Sequence, residues 1–201
     1  MLGQRPLLLA ASPLLAIIAL AGTRGVAQRS ASPPLHAAVA TQAPVDSAAR
    51  SAAIGVARDI MLAARYCALI TQDANSGSAA RTIDPAPPDS AMVVRFVTNP
   101  RSRKVRQIAS DPRVTLYYFD AKSLRYAALS GRARVVRDSA ERRRLWHDAW
   151  TPFYPGRERE ATLFVVIPER LEVVSPSDGI TGDSITWAPT VVRFPQRRRT
   201  H

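Results

Sequence analysis

The 201-residue chain has one cysteine, Cys67, and only two lysines, Lys104 and Lys122. A single cysteine excludes an intramolecular disulfide framework and a multi-cysteine metal site. The three histidines, His36, His147 and His201, are too scattered to suggest a ligand set, so no metal is expected. Acidic residues are scarce as well: 16 stand against 28 basic ones, giving a formal charge of +12. No uninterrupted apolar run approaches the ~20 residues that a membrane-spanning helix needs. No internal repeat is visible at any period. Hydrophobic residues still make up 46% of the chain, which excludes a wholly disordered polypeptide. The length allows one domain of ordinary size with short appendages, or two very small domains.

The basic excess is almost entirely arginine. A basic surface attracts polyanions, yet the arginines are spread along the chain, with runs only at 142–144 and 197–199. No nucleic-acid motif accompanies them, so a general composition bias is the preferred explanation and nucleic acid is not the expected partner. Against so much arginine, the two lysines invite the question of what each does.

The N-terminus has three parts. Arg5 supplies charge, residues 7–21 are apolar apart from Ser12 and Pro13, and Gly25, Val26 and Ala27 follow. This is the pattern of a secretory signal peptide cleaved near Ala27. A retained membrane anchor is the alternative. The expected location is therefore periplasmic or secreted, with membrane association only through this segment. Residues 28–46 are rich in Ala, Ser, Pro and Thr without an apolar period and read as a disordered tether. The domain is expected over 47–194, with a basic tail at 195–201.

Within the domain, Ser47 after Pro44 starts a helix over 47–65, with Ile54, Ile60, Met61 and Ala64 on its buried face. Strands are expected at 66–71, 79–83, 92–98, 114–119 and 124–137, at 162–167 and 171–174 around Pro168, and at 185–194. Gly131 marks a bulge or a close approach. A short helix is expected over 103–109 after Ser102, and a longer one from the Asp138 cap to about Trp150. Many hairpin-linked strands with few short helices point to a mainly β protein built as an antiparallel barrel.

Four segments carry a resemblance: Arg81, Thr82 and Ile83; residues 96–104, beginning Phe96-Val97-Thr98 and ending Ser102-Arg103-Lys104; residues 111–118; and residues 129–136. They resemble the FMN-binding split-barrel proteins of the pyridoxamine 5'-phosphate oxidase-like superfamily, in particular the general stress protein 26-like branch. Trp146, Trp150 and the Phe153-Tyr154-Pro155-Gly156 stretch fit that branch, and the likeness extends over residues 48–194. It implies a six-stranded antiparallel split β-barrel with flanking helices. It also implies a homodimer with FMN in a groove at the interface, FAD or no flavin being the alternatives, and a small-molecule redox partner.

The resemblance places Arg81, Thr82 and Ile83 along the flavin groove, with Phe96 and Thr98 beside the cofactor. Ser102, Arg103 and Lys104 would form the phosphate-binding turn, and Trp150 would lie at the dimer groove. The chemistry agrees: a phosphate dianion calls for a hydroxyl, backbone N–H groups at a helix start and a cation. Plainer roles stay open. Lys104 could be a solvated cation, Thr98 and Ser102 a turn and a helix cap, Trp146 and Trp150 core or interface, and Cys67 a small core residue.

The sequence also departs from the family pattern. Arg95 precedes Phe96 where an aromatic pair is common, and Arg157-Glu158-Arg159-Glu160 replaces an acidic pair. The C-terminal segment lacks the substrate-binding signature of true pyridoxamine phosphate oxidases, which argues against vitamin B6 oxidation. No residue stands out as a catalytic acid or base. The expected function is a flavin-dependent oxidoreductase of a stress response. The alternatives are a non-enzymatic ligand-binding module and a basic adaptor for anionic surfaces.

Overall fold

The computed structural model describes residues 47–73, 77–156 and 159–195. The expected signal segment and tether (1–46), and all but the first residue of the basic tail, lie outside the described residues. Helix α1 (Ser47–Ala64) buries Ala53, Ala57, Ile60 and Met61. These positions recur at helical spacing, and their small and flexible side chains let α1 lie close against the sheet. The helix ends at Arg65, which takes a left-handed φ of 58°. Arg58 anchors α1 to the distant loop at residues 84–93 by donating to Pro88 O at 2.8 Å and Asp89 O at 2.7 Å.

Seven strands follow: β1 (Cys67–Asp73), β2 (Gly77–Ile83), β3 (Val94–Thr98), β4 (Arg113–Asp120), β5 (Arg125–Val135), β6 (Thr162–Val174) and β7 (Thr190–Arg193). Helix α2 (Arg103–Ser110) lies between β3 and β4, and α3 (Ser139–Leu145) between β5 and β6. All pairings are antiparallel, in the order β2-β1-β4-β5-β6-β3, with β7 also on β6. The expected six-stranded barrel therefore becomes a seven-stranded antiparallel sheet whose ends are not zipped together. No ladder joins the end strands β2 and β3 among the described residues. Beyond β2, Ala86 N–H donates to Arg95 O at 2.8 Å, and this is where the two sides of the seam meet.

Residues 163–166 of β6 are buried on both faces, while β3 is buried on one face and half-buried on the other. Val94, Phe96, Phe164 and Val166 belong to the main core under α1, and the paired Phe96 and Phe164 rings stack 5.0 Å apart. Leu163 and Val165 face the other way into a second core with Ala86, Val136 and Trp150. Double burial explains why residues 163–166 read as an apolar run rather than an alternation.

Pro168 lies within β6, where its missing N–H would cost a ladder bond. The register shifts between Ser130 and Gly131, and Gly131 sits opposite Pro168. The two expected strands around Pro168 are thus one strand of 13 residues. A Cβ on Gly131 would come 2.1 Å from Ile167 O, so the bulge requires glycine.

Two expected elements are shorter than the sequence suggests. The helix after Asp138 stops at Leu145, and Trp146 leaves the helical region with ψ 135°. Its indole donates instead to Thr151 Oγ1 at 3.0 Å, and a 3-10 turn over Asp148–Trp150 follows, capped by His147. Trp146 and Trp150 still meet edge to face at 5.6 Å, but not on one helix. The closing strand is only Thr190–Arg193. Before it, Asp183 Oδ1 accepts from both Ile185 N and Thr186 N, which bends the backbone into a turn and leaves Ile185 and Trp187 exposed.

Replacing Gly131 with Ala should cost about 2–3 kcal/mol of stability, because a backbone oxygen rather than a pliable side chain must move. Urea unfolding of the variant beside the parent chain checks this.

Candidate functional site

Helix α2 closes the seam between the two ends of the sheet with side chains instead of a ladder. Gln107, 5% exposed, is the centre of this network. Its Oε1 accepts from Thr71 Oγ1 of β1 at 2.8 Å and from Arg81 Nη2 of β2 at 2.7 Å. Its Nε2 donates to Asp73 Oδ2 at 2.7 Å. Arg81 Nη1 also donates to Thr71 Oγ1 at 2.6 Å, so one guanidinium is held by β1 and α2 together.

On the β3 side, Thr98 is 5% exposed and its hydroxyl receives Lys104 Nζ at 2.8 Å. Ser102 Oγ lies 3.3 Å from the same hydroxyl. Ser102 occupies the N-cap position of α2, but its side chain makes no cap hydrogen bond, because it is turned toward Thr98. The first turn of α2 contains no acidic residue and starts with Arg103 and Lys104. Cations at the positive end of a helix dipole oppose it.

Three positive charges therefore share the seam. Burial lowers the Arg81 pKa from its usual value, and the charge of Arg103 lowers it further. Burial likewise lowers Lys104, with Arg81 adding to the effect. Among the described residues, none of the three forms an ion pair with a carboxylate. Partly buried Arg81 and Lys104, with exposed Arg103 beside them, two hydroxyls and an uncapped helix start are the chemistry that a multiply charged oxyanion would need.

The expected site residues divide. Arg81, Thr98, Ser102 and Lys104 come together, with exposed Arg103 flanking them. Thr82 is exposed on β2, while half-buried Ile83 packs against the main core. Phe96 is wholly buried on Phe164, so its ring serves the core. Trp150 sits in the second core beside Trp146 and His147 and does not join the seam cluster. Gln107, Thr71 and Asp73 went unread in the sequence. The signal that could have shown Gln107 is its place one turn after Lys104, on the side of α2 that also carries Ile108. Among the described residues, no group of three or more His, Cys, Asp or Glu side chains is placed to hold a metal. No described helix is long and apolar enough to cross a membrane.

Residues 54–172 match the family model described as pyridoxamine 5'-phosphate oxidase like. The chain belongs to this family. A Clostridium acetobutylicum protein related to general stress protein 26 of Bacillus subtilis superposes with a TM-score of 0.59 at 16% identity, covering 74% of this chain and 96% of that one. General stress protein 26 from Bacillus anthracis gives 0.52 at 17% identity, covering 72% and 98%. A pyridoxamine 5'-phosphate oxidase-related, FMN binding protein from Nostoc punctiforme covers 78% and 99% at 18% identity, with a TM-score of 0.48. At such identities the first two likenesses speak for the fold. Comparison with curated proteins finds no match.

Gln107→Leu keeps the side-chain volume but leaves Thr71, Arg81 and Asp73 each short of a partner. It should lower stability by about 1–3 kcal/mol. Chemical denaturation measures this, and an unchanged midpoint would show that the amide does not hold the seam.

Proposed function

We propose that the seam binds FMN, with Arg81, Lys104, Thr98 and Ser102 holding the phosphate and Arg103 adding long-range attraction. The observation that carries the reading is the convergence of three cations without ion-pair partners, two hydroxyls and an uncapped helix start on one gap in the sheet. Family membership supports the choice of a flavin over other phosphorylated ligands, since the sequence resemblance is to FMN-binding split barrels. When bound, the flavin supplies redox chemistry, while the chain supplies binding, orientation and electrostatics. On this reading the protein is a flavin-dependent oxidoreductase of the general stress protein 26-like kind, acting as a homodimer after export. A non-enzymatic flavin-binding module is the second reading. It is favoured by the make-up of the cluster, whose charged groups are cations and one carboxylate hydrogen-bonded to Gln107.

The purified full chain should bind FMN and absorb near ~450 nm, as flavins generally do. A colourless protein that also rejects added FMN would sink the proposal. Lys104→Ala should weaken FMN by about 1–3 kcal/mol and leave riboflavin, which has no phosphate, unaffected. Fluorescence titration of both flavins separates phosphate recognition from ring binding.

Inorganic phosphate should raise Tm. With folded-state pKa values of Arg81 and Lys104 below their unfolded ones, protonation of these groups opposes folding at neutral pH, and a bound dianion removes that cost. Thermal melts in phosphate against chloride at equal ionic strength check the sign.

A further inference from the structure

Between the β5–β6 pair and the turn that leads into β7, Tyr126, Val174, Thr181, Asp183, Ser184 and Trp187 line an open cavity of about 420 Å³. None of these residues belongs to the cationic seam. Tyr126 and Val174 are cross-strand partners, and the other four come from the turn. The turn is closed by Asp183 N–H donating to Ala188 O at 2.8 Å and by Trp187 N–H donating to Asp183 O at 2.9 Å. It holds Trp187 at a left-handed φ of 60° and leaves the residue 86% exposed. A large ring kept in water, on a sparsely populated backbone conformation, serves no core and marks a place for something to bind. Asp183 anchors the turn through Oδ1 alone, which accepts from Ile185 N, Thr186 N and Thr186 Oγ1. Among the described residues, its Oδ2 accepts no hydrogen bond and its carboxylate has no ion-pair partner.

We propose that this cavity binds a small organic cation, a quaternary ammonium group held by the Trp187 and Tyr126 rings with Asp183 balancing its charge. Aromatic rings attract such cations through the negative face of their π-system, and a fully alkylated nitrogen needs no hydrogen-bond partner. The local field has the required sign although the chain as a whole is basic. Hydrogen bonds from the Thr186 N–H and hydroxyl and from the Ile185 N–H hold the Asp183 carboxyl below its ordinary pKa, so it is charged at neutral pH. Burial raises the Tyr126 phenol, and the charge of Glu172 adds more to that rise than Arg170 takes away. No lysine or arginine lines the cavity, so a phosphate or carboxylate ligand would meet only repulsion there.

Calorimetric titration of the full chain without FMN, using choline and 3,3-dimethylbutan-1-ol, tests the proposal. The alcohol has the shape of choline with carbon in place of the charged nitrogen. The parent chain should bind choline saturably and about tenfold more tightly than the alcohol. Trp187→Ala should weaken choline about tenfold at unchanged Tm, because so exposed a ring supports no packing. Asp183→Asn keeps an oxygen for the Ile185 and Thr186 amides but removes the charge, so it should weaken choline and leave the alcohol unaffected. The proposal is overturned if choline does not saturate, if the alcohol binds as tightly, or if either variant binds choline as the parent chain does. With FMN left out and the seam residues intact, none of these outcomes depends on the flavin reading.

Discussion

One buried amide joins what the backbone leaves open. The strand order runs from β2 to β3 without returning, so the two ends of the sheet share no ladder among the described residues. Gln107 answers this from α2, accepting from Thr71 and Arg81 and donating to Asp73. An amide suits the task because it offers an acceptor with two lone pairs and a donor in one rigid plane. An apolar residue in its place would leave a guanidinium, a hydroxyl and a carboxylate partly buried and short of partners. The seam is thus a polar interface that requires complete pairing.

The same gap creates the site. Had β2 and β3 paired throughout, their edges would have been consumed by backbone hydrogen bonds. Because they are held apart, Arg81 from one side and Lys104 from the other come close enough for their charges to act on each other. The cost appears in the chemistry of the cations, whose charged forms are disfavoured by burial and by one another. Cohesion of the rest of the domain offsets it. The Phe96–Phe164 stack and the two cores on either side of β3 and β6 fix the strand end from which Thr98 and α2 project. Away from the cationic cluster, α1, the loop after β2 and the turn around Trp150 line an apolar cavity.

Much of this was legible in the residues. The Ala-rich period of α1, the strand composition of residues 113–120 and the turn chemistry around Pro112 all act locally, and local signals survive into the fold. Thr98, Ser102 and Lys104 were readable as a unit because strand, turn and helix start follow within seven residues. Arg81 was joined to them by resemblance alone, for no local rule links β2 to α2. Elsewhere tertiary pairing overrode the pattern. Residues 139–150 carry helical spacing, yet Trp146 gains more from the Thr151 hydrogen bond and the Trp150 ring than from another helical turn. Residues 185–189 have strand composition, but Asp183 captures their amides.

The sequence by itself determined the kinds of most elements, the glycine at the bulge, the family and the cationic turn after β3, because each rests on neighbouring residues or on motifs in order. Only the tertiary structure decided that the sheet stays open between β2 and β3, that Gln107 joins its sides and that Phe96 belongs to the core rather than the seam. Each of these depends on residues far apart in the chain meeting in one place, and a sequence pattern carries no record of which distant side chain will complete a hydrogen bond or fill a wall.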